Sequence, residues 1–165
     1  MAEETNKNQI VPLKNNSLAK VSSTLALTNK LLQEIENRNT LPSNDFRVSI
    51  PDINFRKYLI NTFGIVITDN SVAYGDIKHI EKIDCSTNGS DEELNKIKSL
   101  EGIQHFTALT ALNCWNNQIT NLDVSQNLAL TELDCRENQL TDLDVSQNTA
   151  LKDDILVDNT VKIYR

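Results

Sequence analysis

Glycine and proline are scarce, with 4 and 3 residues in a chain of 165. That excludes collagen-like and proline-rich low-complexity classes. No run of 18 or more apolar residues occurs, so no membrane-spanning helix is expected. The opening residues, Met1 to Asn8, are polar and lack the apolar segment of a secretory signal. The chain as it stands is therefore expected in the cytoplasm, or at the cell surface or outside the cell if a leader has been removed. Basic residues are outnumbered, 16 Lys and Arg against 23 Asp and Glu, for a net charge of −7. This argues against a nucleic-acid partner and against attraction to anionic lipid. Cysteine occurs three times, an odd number with no CxxC spacing, so the three cannot all pair within the chain. Free thiols weakly favour a reducing compartment.

Catalytic signatures are also missing. There is no GxSxG, no HExxH and no phosphate-binding glycine loop. The stretch DNSVAYGD at 69–76 lacks the spacing of an EF-hand loop. His79 and His105 have no carboxylate or nucleophile at motif spacing. The chain is expected to be non-enzymatic, with no cofactor and no metal site.

Asparagine, by contrast, is abundant, with 21 Asn against 20 Leu. The reason appears when the chain is compared with itself. Residues 109–129 read LTALNCWNNQITNLDVSQNLA, and residues 130–150 read LTELDCRENQLTDLDVSQNTA. They agree at 14 of 21 positions without a gap. IEKIDCSTN at 80–88 matches LTALNCWNN at 109–117, with eight further residues inserted after it. Asn159 and Val161 continue the step of 21, although that register puts Asp154 in a leucine slot. A unit this short cannot bury a core alone, so neighbouring units must stack. The pattern L-x-x-L-x-C-x-x-N-x-I/L-x-x-L is that of a leucine-rich repeat. The expected fold is α/β: a short solenoid of about three to four turns with a parallel concave sheet and an N-terminal helical cap.

The phrase LDVSQNxALxxLxCxxNQLTxLDVSQN closely resembles bacterial leucine-rich repeat proteins related in architecture to the internalins. SIPDINFRKYLINTFG resembles the cap that often precedes such repeats, and SLEGIQHFTALTALNC (99–114) resembles the start of their regular array. The resemblance covers roughly residues 49–165. It implies an extracellular or surface-associated repeat protein, and it implies that Asn88, Asn117, Asn138 and Asn159 form a ladder. Buried amides at that position can satisfy backbone groups where regular ladder bonds stop.

The residues fall into three groups. Leu109 and Leu130, Leu112 and Leu133, Ile119 and Leu140, Leu122 and Leu143, and Val124 and Val145 are expected in the core. Cys85, Cys114 and Cys135 share the third apolar slot and should pack there as buried free thiols. Asp123, Asp144, Ser125 and Ser146 should make turn hydrogen bonds, and Asn127 is expected in an exposed turn. The candidate binding residues are the strand positions that point away from the core: Lys82, Asp84 and Ser86; Ala111, Asn113 and Trp115; Glu132, Asp134 and Arg136. They do not repeat, as befits positions free to meet a partner. Trp115, the only Trp, is either a hot spot for a protein or peptide partner or is covered by Arg136 through a cation–π contact.

Five segments follow: a disordered tail at 1–16, an amphipathic helix at 17–37, a linker at 38–48, a helical cap at 49–76, and repeats at 77–165 with a capping segment from Ile155 to Arg165. In the cap, Pro51 suits the first helical position, Gly64 suits the end, and Phe55, Leu59, Ile60 and Phe63 form the apolar side. Lys162 and Arg165 should discourage pairing beyond the last strand. Leu18, Val21, Leu25, Leu32 and Ile35 give helix 17–37 an apolar face. That face can dock on the cap helix, on a second copy or on a different protein. The expectation is an interaction helix that pairs with itself or with a partner. The function these features imply is a non-catalytic protein–protein interaction module that binds a protein or peptide on its concave face. The alternatives are a surface-displayed adhesin-like fragment and a regulatory subunit docking through 17–37.

Overall fold

The repeat becomes structure one strand at a time. Each unit supplies three extended residues in the pattern x-L-x, and alternation sends the central side chain inward and its neighbours outward. In the computed structural model, which describes Leu27, Thr28, Lys30 and residues 42–87, 93–152 and 154–165, these are β3 (Lys82–Asp84), β4 (Ala111–Asn113) and β5 (Glu132–Asp134). With β7 (Ile155–Leu156) they form a parallel sheet in the order β3-β4-β5-β7. Ile83, Leu112 and Leu133 are aligned across it and are each 2% exposed. On the return side, β6 (Asp142–Asp144) pairs in parallel with β8 (Lys162–Tyr164). All the leucine, isoleucine and valine positions expected in the core are buried.

The last turn departs from the step of 21. Leu133 faces Ile155, a step of 22, and Leu143 faces Ile163, a step of 20. Ile155 therefore takes the leucine slot, and Asp154 stays exposed on the outer row. This corrects the placement of Asn159, which is exposed and outside the ladder. Ile155, Val157, Val161 and Ile163 are only partly buried, and Leu156 and Tyr164 are exposed. Lys162 lies over the Tyr164 ring, 4.6 Å from its centroid.

The segment before the repeats mixes strands and helices. β1 (Arg47–Ser49) pairs antiparallel with β2 (Ser71–Ala73), with Val48 opposite Val72. The linker expected to reach residue 48 thus ends earlier, because Val48 has a buried partner to pack on. Asp69 and Asn70, both at positive φ, form the turn into β2 and let Thr68 and Ser71 exchange backbone hydrogen bonds. Helix α1 (Ile53–Phe63) starts two residues after Pro51, because Asp52 caps it by accepting from Asn54 N and Phe55 N. It ends at Gly64, whose φ of 66° suits glycine. Phe55 and Leu59 are buried, whereas Ile60 and Phe63, expected on the same apolar side, are exposed. A short helix α2 (Tyr74–Ile77) leads into β3.

Several contacts join α1 to the first repeat. The second Asp52 carboxylate oxygen accepts from Lys98 N and Ser99 N. Asn54 donates to the carbonyls of Leu94 and Lys96. The Tyr58 hydroxyl accepts from Asp84 N at 3.1 Å, occupying a donor on the free edge of β3. Phe55 meets Phe106, with ring centroids 6.1 Å apart. Gly102 permits the close approach of the two segments: at φ 100°, a side chain there would run into the Ser49 carbonyl at 2.6 Å.

The chain divides into two units, residues 1–41 and 42–165. Leu27, Thr28 and Lys30 are helical. The rest of the 17–37 helix and the 1–16 tail lie outside the described residues, as does Asn88.

Candidate functional site: the outer face of the parallel sheet

The x positions of β3, β4, β5 and β7 share one face of the sheet. Register places Lys82, Ala111 and Glu132 in one row across the strands, continued by Asp154, which lies just before β7 and whose carbonyl accepts from Leu133 N, and Asp84, Asn113, Asp134 and Leu156 in a second. Both rows line a hollow of about 500 Å3 floored by Ile83, Leu112 and Leu133. Six of the nine expected binding residues therefore come together: Lys82, Asp84, Ala111, Asn113, Glu132 and Asp134. Trp115 and Arg136 do not line the hollow, because they follow the strands in the turn beyond them. Asp154 and Leu156 do line it and were not expected. They would have been found by placing Ile155, rather than Asp154, in the leucine slot.

Three of these residues also build the scaffold. Asp84 Oδ1 accepts from Ser86 N, Asn113 Oδ1 from Trp115 N and Asp134 Oδ1 from Arg136 N. Each is the same side-chain-to-backbone turn two residues on. The D, N, D series is thus a repeated structural position, not one left free for a partner. Asp123 and Asp144 make the same turn with Ser125 N and Ser146 N.

Arg136 does not stack on Trp115. Its Nε and Nη2 donate to the two Asp134 oxygens at 3.0 and 2.6 Å. That fork holds the Asp134 carboxyl below its ordinary pKa, against the opposing effect of partial burial. Among the described residues, the cation–π contact is that of Lys162 with Tyr164.

Behind the sheet, Cys85, Cys114 and Cys135 are buried free thiols, one per strand end. Burial pushes Cys85 and Cys135 up to about 12, helped by the neighbouring Asp84 and Asp134 respectively. Cys114, between the other two, is also raised well above its ordinary value. Such thiols are poor nucleophiles. Among the described residues no cluster of His, Cys, Asp or Glu is arranged to hold a metal ion.

Beside the thiols runs the asparagine ladder. Asn117 donates to the Cys85 and Cys114 carbonyls, both at 3.0 Å, and accepts from Ile97 N at 2.9 Å. Asn138 repeats this with the Cys114 and Cys135 carbonyls and Ile119 N. A second ladder occupies the return side. Asn127, expected to be exposed, is fully buried and donates to the Ile103 and Phe106 carbonyls. Asn148 donates in the same way to those of Val124 and Asn127. Each of these carbonyls already accepts from a backbone N–H in its own turn, so the Asn amide adds a second hydrogen bond that ties one repeat to the next. The recurrence of Asn at a step of 21 was the overlooked signal.

This geometry defines a leucine-rich repeat solenoid. No protein-family model matches the chain, and no curated protein does. Solved structures do. The functional domain of InlJ from Listeria monocytogenes, described as including a cysteine ladder, is 32% identical over 74% of this chain and 26% of that one, with a TM-score of 0.59. The internalin InlF of Listeria monocytogenes is 25% identical over 76% of this chain and 34% of that one, with a TM-score of 0.56. The chain spans about a quarter to a third of the length of these proteins. It is a leucine-rich repeat protein similar to these bacterial internalins.

Proposed function

We propose that this chain is a non-catalytic protein-interaction module that holds a protein or peptide on the outer face of its parallel sheet. The observation that carries the reading is the hollow over that face, where two side-chain rows from four strands converge above an apolar floor. Strand positions there are set by the buried leucines and by the Asp84, Asn113 and Asp134 turns, so the outward row of Lys82, Ala111 and Glu132 varies at little cost to the fold. The segment from β1 to α2 acts as the N-terminal cap of a solenoid of about three to four turns. Its support is the set of Asp52, Asn54 and Tyr58 hydrogen bonds that engage backbone groups of the first repeat. The likeness to internalins favours a surface-displayed, adhesin-like setting for the same module.

The test is partner retention by matched variants. Ala111→Arg fills the hollow, and Asn121→Arg changes an exposed residue outside it. A partner isolated with the wild-type chain should be lost by the first variant and kept by the second. Retention by both would refute the assigned face. The amphipathic pattern of 17–37 adds a second proposed contact, self-association. Removing residues 1–41 should then lower the number of copies per particle in solution, without shifting the melting of 42–165. A full chain that is already monomeric, or a copy number unchanged by the deletion, would refute it.

A further inference from the structure

Building on that reading, the order of charges in the hollow narrows the partner's chemistry. Ala111 faces Glu132 across the sheet, and because Leu133 faces Ile155, Glu132 stands beside Asp154. Adjacent strands lie about 4.8 Å apart, and like charges directly opposite each other destabilise the pairing. The step of 22 in the last turn creates this juxtaposition; a step of 21 would have turned Asp154 into the core. Within the sheet nothing relieves it. Lys82 lies two strands from Glu132, roughly 10 Å away. Arg136 is committed to Asp134 through both carboxylate oxygens. Among the described residues, neither Glu132 nor Asp154 joins an ion pair.

An apolar contact point sits in the same hollow. Leu156 is 47% exposed and faces Asp134 on the neighbouring strand. Ala111, small and half-buried, leaves room beside Glu132. The face thus combines two uncompensated carboxylates, an exposed leucine and space for a chain to lie across the strands.

We infer that the occupant is an extended segment of a partner protein that places a Lys or Arg side chain between Glu132 and Asp154 and an apolar side chain on Leu156. A cation there pairs with two carboxylates that join no ion pair among the described residues, which an anionic or neutral side chain does not do. Arginine fits best, because its planar fork carries five donors that can serve two carboxylates. The net charge of −7 draws such a segment toward the molecule. Because both carboxylates are exposed, the attraction is modest and weakens with salt.

The experiment selects phage-displayed random dodecamer peptides on the full chain, then measures the synthesised winners by fluorescence anisotropy. Winners should be rich in Lys and Arg. Their affinity should fall by roughly five- to tenfold on Glu132→Gln with Asp154→Asn, and stay unchanged on Glu101→Gln. The double variant should unfold at the same urea concentration as wild type or a higher one, which separates lost binding from lost folding. Winners without a basic excess, or indifferent to the double variant yet lost on Ala111→Arg, would overturn the cationic partner and leave the interaction face standing. Winners indifferent to both would overturn the face as well. A library that yields no binder would count against an extended segment as the occupant.

Discussion

Two asparagines in the same repeat test how the ladders hold the fold. Asn117 and Asn127 are both buried, at 3% and 0% exposure, yet their removal should not cost the same. Asn117→Ala takes away the acceptor for Ile97 N and the amide donor to the Cys85 carbonyl. The Cys114 carbonyl keeps its donor from Asn138. Two buried backbone groups lose a partner, at about 1–3 kcal/mol each, so a total of about 3 kcal/mol is expected. Asn127→Ala removes donors to the Ile103 and Phe106 carbonyls, but those still accept from Phe106 N and Leu109 N. It also deletes Asn127 Oδ1, a buried oxygen without a partner. No group is orphaned, and the loss should be about 1 kcal/mol, the net worth of ordinary hydrogen bonds. Urea titrations followed by circular dichroism measure both variants, and unchanged slopes would show that the unfolded states are comparable. Equal losses, or a larger loss at Asn127, would refute the argument that satisfied carbonyls, not burial, set the cost.

Three further outcomes are expected. Thiol titration of the native protein should find almost no reaction, and three thiols once it is unfolded, because Cys85, Cys114 and Cys135 are buried and their pKa values raised; rapid native labelling would contradict this. Glu137 sits at φ 54° where the preceding repeat has Asn116 at 57°, so Glu137→Asn should stabilise by about 0.5–1 kcal/mol, measured by urea midpoint; a loss would show that the Glu side chain contributes elsewhere. The Asp134 carboxyl is held below its ordinary pKa, first by the Arg136 hydrogen bond. Its stabilising contribution is thus present above the unfolded pKa and lost as pH falls through the lower folded one. Arg136→Gln should flatten the acid end of the stability profile, and an unchanged profile would rule the pair out as a source of pH dependence.

The repeat was legible in the chain because stacking copies the same physical demand at every turn. A leucine at a fixed step meets a leucine one strand away, so one-dimensional periodicity suffices to place Leu112 beside Leu133, to bury the three cysteines and to aim Asn117 and Asn138 at the carbonyls of the preceding turn. Gly64 was equally readable, since a helix end at positive φ is a local event. Periodicity fails where the period itself changes. In the last turn, strand pairing and the partial burial of Ile155 and Ile163 impose steps of 22 and 20, and only the folded sheet shows that Asp154 joins Glu132 and that Leu156 enters the hollow. Asn127 looked like any polar turn residue until the fold placed the Ile103 and Phe106 carbonyls, more than twenty residues away in the chain, within reach of its amide. Trp115 shows the same limit. Its place in the repeat is plain from sequence, but the turn that carries it out of the hollow is fixed by the Asn113 side chain accepting from Trp115 N and by the Trp115 carbonyl accepting from Thr87 N of the neighbouring repeat.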